Sequence, residues 1–268
     1  MIKFIPRGHL AGAFVLALAA QPWVAQAVPF NSAISITGSA SLDTVNSTTG
    51  TNGATQSGSL AVTSAGVTTS STFNQLTVSG GNPISKALTD IGDKLDMLFG
   101  ISGAFNRVAA ENQFLFGDFN ISLHNSSATN TFVITLGVSE PLNPVTATGA
   151  DAFIIGDFFI ENAALTQILF ANHTRDTVNG SSNTSLTAGS FDVTLAPGQT
   201  LSYHGQLSLK GGAFATGSSY GGTLEEVISV AGVRQVGITQ VPEPGTMALL
   251  ALGLGFLGVR RRQAMRQV

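Results

Sequence analysis

The sequence predicts an all-β fold: an antiparallel β-sandwich with one short amphipathic helix, flanked by an apolar signal helix at the front and an apolar membrane helix at the back. Three observations lead there. Through the middle of the chain, large apolar residues recur at every second position, the period of a strand with one buried face. Only 10% of the 268 residues are charged, against roughly 25% in ordinary soluble domains. Gly, Ser, Thr and Asn are abundant instead, and turn signals such as Pro197-Gly198 punctuate the runs. That mix suits many short strands and turns better than long solvated helices.

The front of the chain, residues 1–27, reads as a secretory signal. Lys3 and Arg7 supply the positive region, Leu10 to Ala20 is an apolar run, and Ala25-Gln26-Ala27 offers small residues at the two positions a signal peptidase requires. The run is shorter than the ~20 residues of a spanning helix. Cleavage after Ala27 would leave Val28 as the first residue of an exported domain, 28–240, delivered by the Sec translocon.

Residues 28–80 alternate only weakly (Ile34, Ile36; Leu60, Val62; Leu76, Val78) and are rich in Ser, Thr and Gly. They read as edge strands with long turns, or alternatively as a flexible stalk. Residues 83–100 carry the expected helix. Asn82 can cap it, Pro83 suits its first turn, and Gly100 can close it. Ile84, Leu88, Ile91, Leu95 and Leu98 recur at helical spacing, leaving Asp90, Asp93 and Asp96 on a solvated face.

Strands follow. Phe119, Ile121 and Leu123 share one face, while Phe114 and Phe116 have the opposite parity, which points to a bulge or turn near Gly117-Asp118. Phe132 to Val138, Phe191 to Leu195 and Leu201 to Leu209 alternate in the same way. Phe153 to Ile160 is apolar on both faces and reads as a central strand. Leu224, Glu226, Ile228 and Val230 suggest a last strand whose apolar row Glu226 breaks. Gly117-Asp118-Phe119-x-Ile121 is echoed by Gly156-Asp157-Phe158-x-Ile160, a weak sign of two equivalent strands.

The back of the chain, 241–268, has its own logic. Val241-Pro242-Glu243-Pro244-Gly245 precedes Thr246 to Val259, an uncharged run of fourteen residues closed by Arg260, Arg261 and Arg262. As a helix the run reaches roughly 21 Å, short of a ~30 Å hydrocarbon core. The arginines would snorkel and hold their end in the cytoplasm, leaving the body on the other side of the membrane. Pro242 and Pro244 keep the segment before the helix extended. An ordinary tail anchor with a proline-rich hinge is the alternative. Motif, short apolar helix and Arg cluster together resemble the PEP-CTERM sorting signal. The resemblance implies export in a Gram-negative bacterium and cutting near Pro242-Glu243-Pro244 by an exosortase.

Charge and composition exclude several functions. Between the basic residues of the two ends, Arg7 and Arg260, lie six basic and fifteen acidic residues, a balance of −9, and such a body repels nucleic acid. With no cysteine, disulfides, thiolate metal sites and cysteine nucleophiles are absent. Gly217-Ser218-Ser219-Tyr220-Gly221 fits G-x-S-x-G, but no histidine follows it, as a nucleophile elbow requires. Gly253-x-Gly255-x-x-Gly258 lies inside the apolar tail and lacks a βαβ context. His124, His173 and His204 show no zinc spacing. Asp118, Asp151, Asp157, Asp176 and Asp192 are numerous enough for calcium but lack a known loop pattern. A carboxylate pair for glycoside hydrolysis could come from Asp118, Asp151, Asp157 and Glu161, though nothing in their spacing asks for it.

The function expected is therefore that of a non-catalytic surface or extracellular-matrix protein without cofactor. It passes through an inner-membrane intermediate, and its hydroxyl-rich surface could meet extracellular polysaccharide. A carbohydrate-binding or adhesin module is the alternative and would need an aromatic platform, for which Tyr203 and Tyr220 are the candidates. A secreted hydrolase comes third.

Overall fold

The computed structural model describes residues 30–50, 53–105, 111–186 and 189–236. The expected signal segment, with Ala25 and Ala27, and the tail, with its motif, apolar helix and arginines, lie outside the described residues.

Fifteen strands make up the described body. The first six are β1 (Ile34–Leu42), β2 (Thr55–Ser64), β3 (Val67–Asn74), β4 (Thr77–Ser79), β5 (Ile84–Leu88) and β6 (Lys94–Ala104). The next five are β7 (Glu111–Asn125), β8 (Phe132–Leu142), β9 (Val145–Thr148), β10 (Ala152–Asn162) and β11 (Gln167–Asp176). The last four are β12 (Ser182–Thr184), β13 (Gly189–Leu195), β14 (Thr200–Ala213) and β15 (Ser219–Gln235). One sheet runs β12-β11-β10-β14-β7-β1-β5, the other β13-β8-β15-β6-β2-β3-β4, with β9 beside the start of β15. The pairings are antiparallel, as the alternating pattern predicts. Inward side chains of both sheets merge into one apolar core, with Phe99, Phe119, Phe132 and Phe158 among its largest fully buried members.

Residues from the weakly alternating front are paired into these sheets. β1 lies between β5 and β7, and β2 between β3 and β6. Ile34, Ile36, Leu42, Leu60 and Val62 face the core, and the intervening small polar residues face out. The tetrapeptide Asp43-Thr44-Val45-Asn46 after β1 recurs as Asp176-Thr177-Val178-Asn179 at the end of β11. Both form the same turn. The aspartate Oδ1 accepts from the backbone N–H groups two and three residues on, and the asparagine amide donates to Oδ2. These hydrogen bonds from Asn46 and Asn179 hold both carboxyls below the usual range.

The helix expected over 83–100 is absent. Its residues form β5, a turn and β6. Two of its anchors, Ile84 and Leu88, stand four apart, a spacing that serves a helix and a strand equally. The decisive row is Leu95, Met97, Phe99 and Ile101, all buried at period two with Lys94, Asp96 and Leu98 on the opposite face. Ile91 sits in the turn and is 38% exposed. Asn82 is no helix cap. Its amide exchanges two hydrogen bonds with the backbone of Leu42. Asp93, expected in solvent, is buried and ties the turn: Oδ2 accepts from the N–H groups of Thr89 and Asp90, and Oδ1 from that of Ala65.

The bulge or turn expected near Gly117-Asp118 is also absent, because β7 pairs with β14 without interruption. Phe114 and Phe116 have the opposite parity simply because they face outward, stacked at 6.4 Å with Lys210 Nζ 5.6 Å from the Phe116 ring. Beneath them Gly117 faces in, where a Cβ would lie 2.4 Å from Met97 Sδ and 2.5 Å from Phe99 Cζ. Gly156 plays the same part on β10, leaving room for Leu224.

Candidate functional site

The outer face of the seven-stranded sheet collects five of the polar side chains that the sequence singled out, His124, His204, Asp118, Asp157 and Glu161. Strand register builds it row by row. Ser39, Asn120, His204 and Glu161 stand directly opposite one another across β1, β7, β14 and β10. The adjacent row is Ser41, Asp118, Gln206, Phe159 and Phe170, which ends on β11. On the other side lie Thr37, Ser122 and Ser202. Alternation places these residues here, since their chain neighbours Ile121, Leu207 and Ile160 are buried in the core.

The rows interlock through side chains. His204 Nε2 lies 3.2 Å from Asp118 Oδ1, and its Nδ1 lies 3.5 Å from Glu161 Oε1. Gln206 donates to the same Asp118 oxygen at 3.3 Å, and the Phe159 ring leans on His204 with centroids 6.1 Å apart. One row further, Asp157 accepts from Asn172 at 2.6 Å and lies 3.9 Å from Lys210 Nζ. Two shallow depressions follow the face. One, of about 190 Å³, is lined by Thr37, Ser39, Asn120, Ser122 and Ser202. The other, of about 380 Å³, is lined by Asn120, Ser202, His204, Glu161, Asn162 and Leu165. They meet at Asn120, Ser202 and Tyr203.

A second polar cluster lies between the sheets, of which the sequence singled out Glu226 and His173 separately but not Glu140. Glu140 of β8 and His173 of β11 meet at 2.9 Å with both side chains at or below 5% exposure. Glu140 Oε2 also accepts from the Leu186 N–H. Glu226 stays on the inward parity of β15 instead of ending its row, and a register shift between Glu225 and Val227 lets Val227 be buried as well. Burial above all, then the charge and hydrogen bond of Glu140 and the charge of Glu225, push the Glu226 carboxyl up to about 11. It is therefore neutral at pH 7. The only sequence signal for this cluster was an acid at an inward position.

Other candidates are dispersed. Asp118 and Asp157 share the outer face, whereas Asp151 precedes β10, Asp176 closes its own turn, and Asp192 lies on the other sheet with Thr135 and Arg234. Among the described residues no group of three acidic or histidine side chains is placed to hold a metal ion. His124 pairs with Thr200 on the outer face, apart from the buried His173. Tyr220 is buried, and half-buried Tyr203 faces inward against the Phe191 ring at 5.5 Å, so neither forms the aromatic platform that the carbohydrate-binding alternative would need. Ser219 sits at the start of β15 against Thr148, and the buried Ser218 hydroxyl accepts from the Asp151 N–H.

Comparison with known proteins identifies one segment. Residues 240–262 match the family described as the PEP-CTERM protein-sorting motif, which takes in Val241 to Gly245 and all three arginines. No curated protein matches the chain. Among solved structures, the infectious bursal disease virus VP2 subviral particle aligns at 9% identity and a TM-score of 0.21, over 74% of this chain and 56% of that one. The Gt strain of the same virus aligns at 10% identity and a TM-score of 0.12, over 82% and 71%. This chain thus spans little more than half the length of the VP2 chain in the subviral particle.

Proposed function

We propose, from the premise that residues 240–262 are a PEP-CTERM sorting motif, that this chain is a non-catalytic protein of a Gram-negative cell surface or extracellular matrix. The motif directs an exported protein to exosortase. The finer course is our reading. The signal at 1–27 engages the Sec translocon and is removed after Ala27. The apolar run holds an inner-membrane intermediate, and exosortase cuts near Pro242-Glu243-Pro244 to release the sandwich.

The observation that carries this reading is the tail itself. Its fourteen uncharged residues are few for a permanent span, and they follow a segment whose two prolines disfavour helix. A structural role for the body is supported by how its polar groups are used. Asp118 and Glu161 both turn to His204 on an open sheet face, and inside the fold Glu140 is engaged by His173 and by the hydrogen bond of Glu226. Hydrolysis calls for carboxyls facing each other across a cleft that sheds water.

The test is expression of the full chain in hosts with and without exosortase, followed by fractionation and mass measurement. Exosortase should remove Arg260 to Arg262 and shift the protein out of the inner-membrane fraction. A mature mass that still contains the arginines when exosortase is present would end the sorting reading.

A further inference from the structure

We propose that the outer face of the seven-stranded sheet is a binding track for a linear polysaccharide that carries no acidic groups. The proposal deepens the surface-protein reading above and rests on it only for where the polymer is met. The binding itself belongs to the body and is independent of the tail.

The shape of the face is the first argument. The two depressions share Asn120, Ser202 and Tyr203, so they run on from one another across the strands. From Ser39 on β1 to Phe170 on β11 the face crosses five strands, roughly 20 Å at ~4.8 Å per strand. That is a shallow furrow suited to several units of a chain in a row, with no enclosed pocket for a single small molecule.

Its chemistry is the second argument. Hydroxyls of Thr37, Ser39, Ser122 and Ser202, the Asn120 amide, His204 and Glu161 offer donors and acceptors at strand intervals. Sugar hydroxyls, which both donate and accept, can satisfy such a row. Phe159 and the 41%-exposed Phe170 form the neighbouring row on the β10–β11 side, next to His204 and Glu161. Leu165, 77% exposed, stands at its end beside Glu161. These surfaces suit the apolar faces of sugar rings, which have C–H bonds to set against them. A protein ligand would want a larger continuous apolar patch than Phe159, Phe170 and Leu165 make among serines and carboxylates.

Charge is the third argument, and it selects the class. Asp118, Asp157 and Glu161 outnumber the one lysine of the face, Lys210, which is already beside Asp157 and over the Phe116 ring. The body as a whole is acidic. A uronate or sulfated chain would bring its charges against these carboxylates and is repelled.

The test uses the full chain in detergent, titrated with cello-oligosaccharides and mannan oligosaccharides of one to six units, and with oligogalacturonates of matching length. Binding to at least one neutral series should strengthen about tenfold or more between one and four units, while oligogalacturonates bind at least tenfold more weakly. His204→Ala and Phe170→Ser, both at exposed or half-exposed positions, should each weaken the tetramer about fivefold or more at unchanged melting temperature. Asp192→Asn, on the opposite sheet, should leave binding unchanged. The proposal is overturned if neither neutral series binds, if the acidic series binds equally well, if monosaccharides bind as tightly as tetramers, or if binding ignores both outer-face substitutions. None of these outcomes bears on whether exosortase cuts the tail.

Discussion

Phe119 and Phe158 meet edge to face in the core, ring centroids 6.1 Å apart and planes at 85°. They are the third residues of the two Gly-Asp-Phe-x-Ile segments, one on β7 and one on β10, on either side of β14. The strand between them contributes Gly205, whose missing Cβ would stand 3.5 Å from that of Phe119. The sequence echo thus marks two strands that approach each other over a glycine. Phe158→Ala should lower stability by about 3–5 kcal/mol, the cost of emptying a buried aromatic site. A double-mutant cycle with Phe119→Ala in urea should show coupling of about 0.5–1.5 kcal/mol. A coupling of zero would mean that the rings merely share the core.

The glycines of the same segments give a second prediction. A Cβ on Gly156 would fall 2.2 Å from Leu224 Cδ1, the far end of a flexible side chain. One on Gly117 would meet Met97 and the rigid ring of Phe99 together. Both substitutions to Ala overpack the core, at a cost of about 1–3 kcal/mol each. Gly156→Ala should be relieved by adding Leu224→Val, since the obstruction is a movable methyl. Gly117→Ala should respond far less to Met97→Ala, because Phe99 remains. Chemical denaturation of the four variants measures both differences.

These glycines also show what a reader of the sequence can and cannot see. Rows such as Phe132-Ile134-Leu136-Val138 are legible because one face is buried and the period is two. The stretch from Ile84 to Leu98 misleads because positions four apart satisfy both periods. Only the shorter row, Leu95-Met97-Phe99-Ile101, separates strand from helix, and its alternation with Lys94 and Asp96 was present to be read. Phe114 and Phe116 mislead in another way, as large apolar residues that face out and stack on each other. The outer-face track and the Glu140–His173–Glu226 cluster were not legible. Their members lie far apart in the chain, such as Glu140 and His173, 33 positions apart, and only sheet order and the packing of one sheet on the other bring them together.

Asp93 offers a direct test of the β5–β6 turn. Its two oxygens accept three backbone N–H groups, from Thr89 at 2.6 Å, Asp90 at 3.0 Å and Ala65 at 2.9 Å. Asn has the same shape but only one accepting oxygen, so its amide would face a donor. Asp93→Asn should therefore cost about 1–3 kcal/mol, measurable as a drop in the urea midpoint at constant slope. Were this segment a helix with Asp93 in solvent, the substitution would be close to neutral.

Glu226 makes stability depend on pH in a specific direction. Its carboxyl is raised from 4.5 to about 11 in the fold, so between those values the folded state holds a proton that the unfolded chain has lost. Stability is then fullest below pH 4.5 and declines as pH rises, by about 1.4 kcal/mol per unit while the raised group stays protonated. From this group alone, about 3 kcal/mol should disappear between pH 5 and 7. The turn carboxylates Asp43 and Asp176 act oppositely, since their depressed values withdraw support only as pH falls through and below 3.8. The two effects thus oppose each other, Glu226 favouring the acid side of neutrality and the turn carboxylates failing only at still lower pH. Glu226→Gln keeps the shape and the donor toward Glu140 but carries no titrating proton. It should flatten the decline above pH 5 and make the protein more stable than the parent at pH 8, with little change at pH 4.5. Urea midpoints of both proteins across pH 4 to 9 decide the matter, and parallel curves would place the pH dependence elsewhere in the fold.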